Sequence, residues 1–288
     1  MANRWNKTVL VTGSTGFVGR HLVTRLRQHG AHVIYPTRDL GGDILSDTLV
    51  TDDIDMVVHL AGRTFVVDAW SDPVDFFRVN ALGTMRMLEQ CRKKKVPFVY
   101  ISAYVYGSPK SDRVSESHPV EPNNPYAFSK FAGEEACRFY NQVFNIPLVI
   151  FRLFNVYGPG QDKHFLIPFV IDQALSRDQE TVVVADLTPK RDYVYIDDVV
   201  DAICESPKLL NGNTYNVGSG VPTSVREVIE TVLRYADPGK RYRDKGDVRP
   251  NEIASVVADT SALTRDCGWV AATSFDNGIQ KTISAKRP

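Results

Sequence analysis

Tyr126 and Lys130 stand four residues apart in the stretch PYAFSK. On a helix that spacing puts both side chains on one face, about 6 Å apart at their Cβ atoms. An ammonium beside a phenol favours the phenolate, so the tyrosine is expected to titrate below its usual pKa of about 10, towards neutrality. A tyrosine tuned in this way can exchange a proton with a substrate hydroxyl while a hydride moves at the same carbon. Upstream, the strand-like run in YISAYVYG ends at Ser102, whose hydroxyl could hold the substrate oxygen beside Tyr126. A Tyr and a Lys at helical spacing are common on helices, so the trio gains its meaning from what precedes it.

What precedes it is VTGSTGFVGRHLV, with Gly13, Gly16 and Gly19 between a strand-like and a helix-like segment. In that context Gly13 permits the tight turn, Gly16 lets the backbone approach a pyrophosphate, and Gly19 lets the helix pack on the sheet. The free N–H groups of the helix start, together with its dipole, then bind phosphate. At about 20 residues past the glycines an Asp or Glu is expected on the adenosine ribose. Here the second strand-like run ends in Pro36, Thr37 and Arg38, with Asp39 following. Arg38 can bind a 2′-phosphate where an acid could not, which tilts the cofactor from NAD towards NADP.

The elements needed to position these groups are legible as an alternation. Lys7–Thr12, His32–Tyr35, Met56–Leu60, Phe98–Ile101 and Pro147–Phe151 read as buried strands. Gly16–His29, Phe76–Lys94 and Tyr126–Phe144 read as helices between them. Strands separated by helices predict an α/β fold, a Rossmann-type doubly wound parallel sheet. Asp39–Asp55 is short for a full helix-strand-helix passage, so the sheet should be abbreviated there. From about Tyr157 the alternation breaks up into short strands and helices. This predicts a dinucleotide-binding domain over 1–156, with some later segments returning to it, and a smaller C-terminal α/β substrate lobe mainly over 157–288.

Bulk properties exclude other classes. The chain has 288 residues, 43% of them hydrophobic, and a formal net charge of zero. That balance gives no support to nucleic-acid or membrane-surface binding. The N-terminal stretch lacks an apolar segment long enough for a signal peptide or a membrane span. Cys91, Cys137, Cys204 and Cys267 are widely spaced, which reads as free thiols in a reducing cytoplasm, and no histidine pattern suggests a metal.

Beyond the glycine loop and the Ser-Tyr-Lys set, HLAG (His59–Gly62), RVNALGTMRMLEQC, RLFNVYGPGQ, KRDYVYIDDVVDAI, YNVGSG and VRPNEIASVVADTSAL occur in order. Together they resemble the extended short-chain dehydrogenase/reductases that act on nucleotide sugars, over nearly the whole chain. The resemblance implies that Ser102, Tyr126 and Lys130 are catalytic, with Ser102 polarising a ketone and Lys130 holding the nicotinamide ribose. It implies cofactor contacts from Gly13, Thr15, Gly16, Phe17, Val18, Gly19, Leu60, Ala61, Gly62 and Phe154, with Asp43 and Ile44 along the adenine. It implies that Tyr104, Asn155, Arg191 and Arg249 meet a nucleoside-diphosphate sugar, the arginines clamping its pyrophosphate. It also suggests a homodimer through the two long helices.

The group contains 4,6-dehydratases, 4-epimerases, decarboxylases and 4-ketoreductases. Its dehydratases carry an Asp-Glu pair just after the catalytic Ser/Thr, where this chain has Ala103 and Tyr104. An epimerase keeps its NAD, whereas a reductase exchanges NADPH. VVVADLTPKRDYVY replaces a Gly-Asp-Gly-like turn, as in some 4-keto-6-deoxysugar reductases. The expectation is therefore NADPH-dependent reduction of a C4 ketone. A UDP-hexose 4-epimerase is the alternative, and a non-catalytic dinucleotide sensor is a remote one.

Overall fold

A computed structural model of the chain describes residues 5–36, 43–46, 48–247 and 253–287. The first part of the chain forms β1 (Thr8–Thr12), α1 (Phe17–Gln28), β2 (His32–Ile34), β3 (Met56–His59), α2 (Val66–Ser71), α3 (Pro73–Phe77) and α4 (Gly83–Lys94). Then come β4 (Phe98–Ala103), β5 (Arg113–Val114), α5 (Pro125–Phe144), β6 (Leu148–Leu153), β7 (Asn155–Tyr157), α6 (Leu166–Leu175), β8 (Thr181–Val184), β9 (Lys190–Tyr195) and α7 (Ile196–Cys204). The chain closes with β10 (Thr214–Val217), β11 (Pro222–Ser224), α8 (Val225–Ala236), β12 (Arg241–Asp244), β13 (Ser255–Ala258), α9 (Ser261–Cys267) and α10 (Phe275–Ser284).

The main sheet runs β10-β6-β4-β3-β1-β2 and is parallel throughout. Its strands are apolar on both faces because helices cover both. Val9 and Val11 of β1 pack with Leu22, Val23 and Leu26 of α1, while Leu10 packs on the other face with Met87, Leu88 and Cys91 of α4. The strand order reverses between β1 and β3, and the crevice beyond the carboxyl ends of these strands is where such sheets bind ligands. Among the described residues no strand forms between β2 and β3, in line with the short passage expected there. A second sheet, β11-β9-β13-β5 with β7 on β9, is built mainly from the second half of the chain.

The helix expected over Phe76–Lys94 forms, with a change of pitch inside it. A π-helical turn, Arg78–Leu82, joins α3 to α4 without a break. Asn80 explains it: its side chain accepts from Arg63 N (2.8 Å) and donates to Arg63 O (3.0 Å) and to Ser129 Oγ (2.9 Å). Those three bonds need the side chain turned inward towards α5 and the loop after β3. The wider turn supplies that rotation, and such turns are frequent at functional sites.

α5 begins one residue before Tyr126. Asn124 caps it by accepting from Ala127 N, and Pro125 occupies the first turn, where its missing N–H costs nothing. Its buried face carries Ala127, Ser129, Lys130, Gly133, Glu134 and Cys137. A Cβ on Gly133 would fall 2.3 Å from the Tyr100 hydroxyl, so the glycine lets α5 lie against β4.

Candidate active site

The loop after β1 is a cradle with no room for a side chain at Gly13 or Gly19. Gly13 has φ +70°, and a Cβ there would lie 2.6 Å from Ala61 N. A Cβ on Gly19 would lie 2.1 Å from Gly13 O. α1 starts from Gly16 with no side-chain cap and no acid in its first turn, which leaves N–H groups and the positive dipole end for an anion. Ser14 Oγ, on the same wall, is buried without a partner. These features fit a pyrophosphate group.

The cradle opens into a cavity of about 1030 Å³. Pro36 and Ile44 stand with Gly13–Gly19 and Leu60–Gly62 on its wall, which continues through Ser102, Ala103, Tyr104, Tyr126, Lys130, Phe154 and Asn155. Two loops at the sheet's switch point, the end of β4 and the start of α5 thus converge on one space large enough for a dinucleotide and part of a second ligand. Asp162 is the one carboxylate among the described residues that line it.

At the cavity's inner end the electrostatics differ from the sequence expectation. Burial pushes the Tyr126 phenol up to about 12 and the Lys130 ammonium down to about 8. Lys130 does not bring the phenol towards neutrality, because its charge is engaged elsewhere. Nζ donates to Ile101 O at 2.6 Å and lies 4.3 Å from the Tyr100 ring centre. Tyr126 therefore stands protonated at neutral pH. Ser102 differs too. Its hydroxyl donates to Glu134 Oε1 at 2.6 Å, so its one proton points into the protein and not at a ketone.

Glu134 and Arg152 are the residues the sequence reading passed over, although Arg152 opens the run RLFNVYGPGQ and Glu134 stands four residues after Lys130. Arg152 is 2% exposed, and its Nη2 donates to Glu134 Oε2 at 2.6 Å. In β4–β6 register Ser102 stands directly opposite Arg152. A basic residue in the otherwise apolar run LVIFRL was the available signal, since a buried charge demands a partner. His59 is likewise structural. Burial, with a smaller push from Lys130, drops its pKa to about 3, and its ring is held between Thr12 Oγ1 (2.7 Å) and Thr84 Oγ1 (3.2 Å).

Two expected ligand contacts among the described residues are not on the cavity wall. Asp43 is exposed and its carboxylate accepts from Leu45 N at 2.9 Å, so only Ile44 of that pair reaches the cavity. Arg191, at the start of β9, is not on the wall either; its Nη1 donates to Lys190 O (2.8 Å) and Ile253 O (2.6 Å). Its charge still opposes the upward push of burial on Tyr104, so the two stand close. Arg38 and Arg249 lie outside the described residues.

The parallel sheet, the glycine cradle and the adjoining cavity define a nicotinamide-dinucleotide enzyme of Rossmann type. More specifically, the chain belongs to the NAD dependent epimerase/dehydratase family, whose model matches residues 9–218. It is 30% identical to the GDP-6-deoxy-D-mannose reductase of Pseudomonas aeruginosa, with 96% of each chain covered. The structure of RMD from Pseudomonas aeruginosa complexed with NADPH superposes with a TM-score of 0.87 at 29% identity, covering 97% of this chain and 98% of that one. The Thermus thermophilus UDP-glucose 4-epimerase complexed with NAD superposes with a TM-score of 0.84 at 30% identity, covering 96% and 98%. Among the described residues no helix is long and apolar enough to cross a membrane.

Proposed function

We propose that the protein reduces the C4 ketone of a nucleoside-diphosphate 4-keto-6-deoxyhexose with NADPH. The wall beside Ser102 carries the reading. Ala103 and Tyr104 stand where elimination across C5 and C6 would need an acid-base pair, which leaves chemistry confined to C4. A protonated Tyr126 then suits reduction, because it can give its proton to the oxygen at C4. Lys130 would hold the ribose hydroxyls of a nicotinamide nucleotide, which would supply the hydride to that carbon. The phenolate left on Tyr126 takes a new proton from solvent. Leu60, Ala61, Gly62 and Phe154 flank the cofactor, and Thr15, Phe17 and Val18 complete its phosphate site. Asn155 and Tyr104 face the sugar diphosphate, with Arg191 and Arg249 as its cationic partners. Arg38 sets the preference for the 2′-phosphate.

A panel of UDP-, dTDP- and GDP-4-keto-6-deoxyhexoses with NADPH or NADH tests this by loss of nicotinamide absorbance. Oxidation of NADPH by at least one is expected, with the preference over NADH reduced in Arg38→Ala. A 4-epimerase is the second reading, favoured by the equal identity to the NAD-bound epimerase. Interconversion of UDP-glucose and UDP-galactose without added cofactor, and no reduction of any keto sugar, would establish it instead.

A homodimer through α4 and α5 is part of the proposal. Phe128, Phe139 and Val143 stand exposed at helical spacing along α5, with Met85 on α4 and Leu82 just before it. Phe139→Asp should halve the mass measured by light scattering; an unchanged mass would remove this face as the contact.

A further inference from the structure

One carboxylate touches this machinery without lining the cavity. Glu134 is 0% exposed, and each of its oxygens has two partners. Oε1 accepts from Ser102 Oγ (2.6 Å) and Arg152 Nε (3.0 Å), and Oε2 accepts from Arg152 Nη2 (2.6 Å) and Arg138 Nη2 (2.8 Å). Burial pushes its pKa up, but Arg152, and after it Ser102 and Arg138, outweigh burial and leave it below the usual value. A carboxylate ringed by two guanidinium groups has no proton to give. The hydrogen between Ser102 and Glu134 therefore comes from Ser102, which has no other. What Ser102 turns to the cavity is lone pairs.

We propose that Glu134 is a positioning residue that fixes the polarity of Ser102, making it an acceptor towards the sugar. A C4 hydroxyl can donate to such an oxygen. A C4 ketone cannot, and it depends on the Tyr126 phenol for its hydrogen bond. Ser102 thus selects the alcohol form and Tyr126 the ketone form, and the reduced product gains a bond that the substrate lacked. The inference rests on the cavity being a nucleotide-sugar site, but not on which C4 reaction occurs there.

Glu134→Gln tests it without changing shape. Arg152 Nη2 and Arg138 Nη2 hold the amide oxygen on the Oε2 side, where Arg152 Nε also reaches it (3.2 Å), so the amide nitrogen takes the Oε1 side, faces Ser102 and donates to it. The Ser102 proton is then released to the cavity. Binding is read by calorimetry in two unreactive combinations: UDP-, dTDP- and GDP-4-hydroxyhexoses with reduced cofactor, and their 4-keto-6-deoxy forms with oxidised cofactor. One hydrogen bond between two neutral hydroxyls, at the strong end of its usual range, corresponds to about a tenfold change. Glu134→Gln should weaken the hydroxy sugar about tenfold relative to the keto sugar, and should move that ratio by less than about twofold in a Ser102→Ala background, as expected of a coupled pair. Ser102→Ala alone, a milder change, should weaken the hydroxy form and spare the keto form. An unmoved ratio in Glu134→Gln, the same shift without Ser102, or a larger loss for the keto form in Ser102→Ala would overturn the proposal. Failure of the wild type to oxidise NADPH would instead sink the reductase reading, while the hydroxy-sugar arm still reports on Glu134.

Discussion

Tyr126→Phe should lower kcat for reduction by about 10²- to 10⁴-fold while leaving the nucleotide-sugar KM within a few-fold, the range for loss of a positioned general acid. The ring is kept, so its edge-to-face contact with Phe76 (6.3 Å between centres) and the start of α5 survive. Only the proton at the C4 oxygen is lost. Stopped-flow absorbance of NADPH under saturating sugar separates this from a binding defect; a variant within threefold of wild type would remove Tyr126 from the mechanism. The wild-type pH profile carries the same signature. With Tyr126 held up to about 12 and Lys130 down to about 8, the acid stays protonated across the neutral range, and the ammonium that holds the ribose loses its charge only as pH rises through about 8. Reduction should stay level below about 8 and fall as pH rises through it. A group used first as a base, as in oxidation of a C4 hydroxyl, would make the rate climb instead. Stability follows the opposite slope: Lys130 is depressed from 10.5 to about 8, so the folded state binds fewer protons in that window and gains stability as pH rises across it.

Arg152→Met should destabilise the fold by about 3–5 kcal/mol, the cost of leaving a buried charge without its partner. Arg152 is 2% exposed and Glu134 0%, and Arg138 alone remains to face the carboxylate. Methionine fills much of the volume, so the loss reports charge rather than a cavity. The pH dependence separates the two. In the wild type Glu134 titrates below its model-compound value of 4.5, so its stabilisation is present above that pH and lost as pH falls through the folded value. Without Arg152, burial raises the Glu134 pKa, and the deficit should shrink as pH falls and the carboxyl takes up a proton. Denaturant midpoints at neutral and mildly acidic pH measure this. A deficit below about 1 kcal/mol, or one unchanged by pH, would show that the pair is not the fold's electrostatic anchor. The same variant should disturb Ser102, because the carboxylate that holds its hydroxyl would no longer be fixed from behind.

Much of the frame was legible because it rests on local rules. Gly13, Gly16 and Gly19 could be read from spacing, since a tight strand-to-helix turn admits no Cβ. Val9 to Val11 and Met56 to Val58 could be read as buried strands because unbroken apolar runs need cover on both faces. The helix through Phe76–Lys94 was legible, but not the π-helical turn within it, because the apolar period continues across Arg78–Leu82. What widens that turn is Asn80 reaching Arg63 and Ser129, and no period records such a bond. What the sequence also did not record is that one oxygen of Asp43 serves its own loop, accepting from Leu45 N.

The sequence by itself determined which chemistry is present. The parallel sheet, the phosphate cradle and the Ser102, Tyr126 and Lys130 trio follow from residue types and spacing, because backbone sterics and helical geometry act over a few neighbours. Only the tertiary structure decided how those groups are poised. Burial keeps Tyr126 protonated, Ile101 O and the Tyr100 ring engage the Lys130 ammonium, and Glu134 accepts the Ser102 hydrogen bond. Desolvation and hydrogen-bond direction depend on what the fold brings up behind a side chain. For Ser102 those neighbours are Glu134 on α5 and Arg152 on β6.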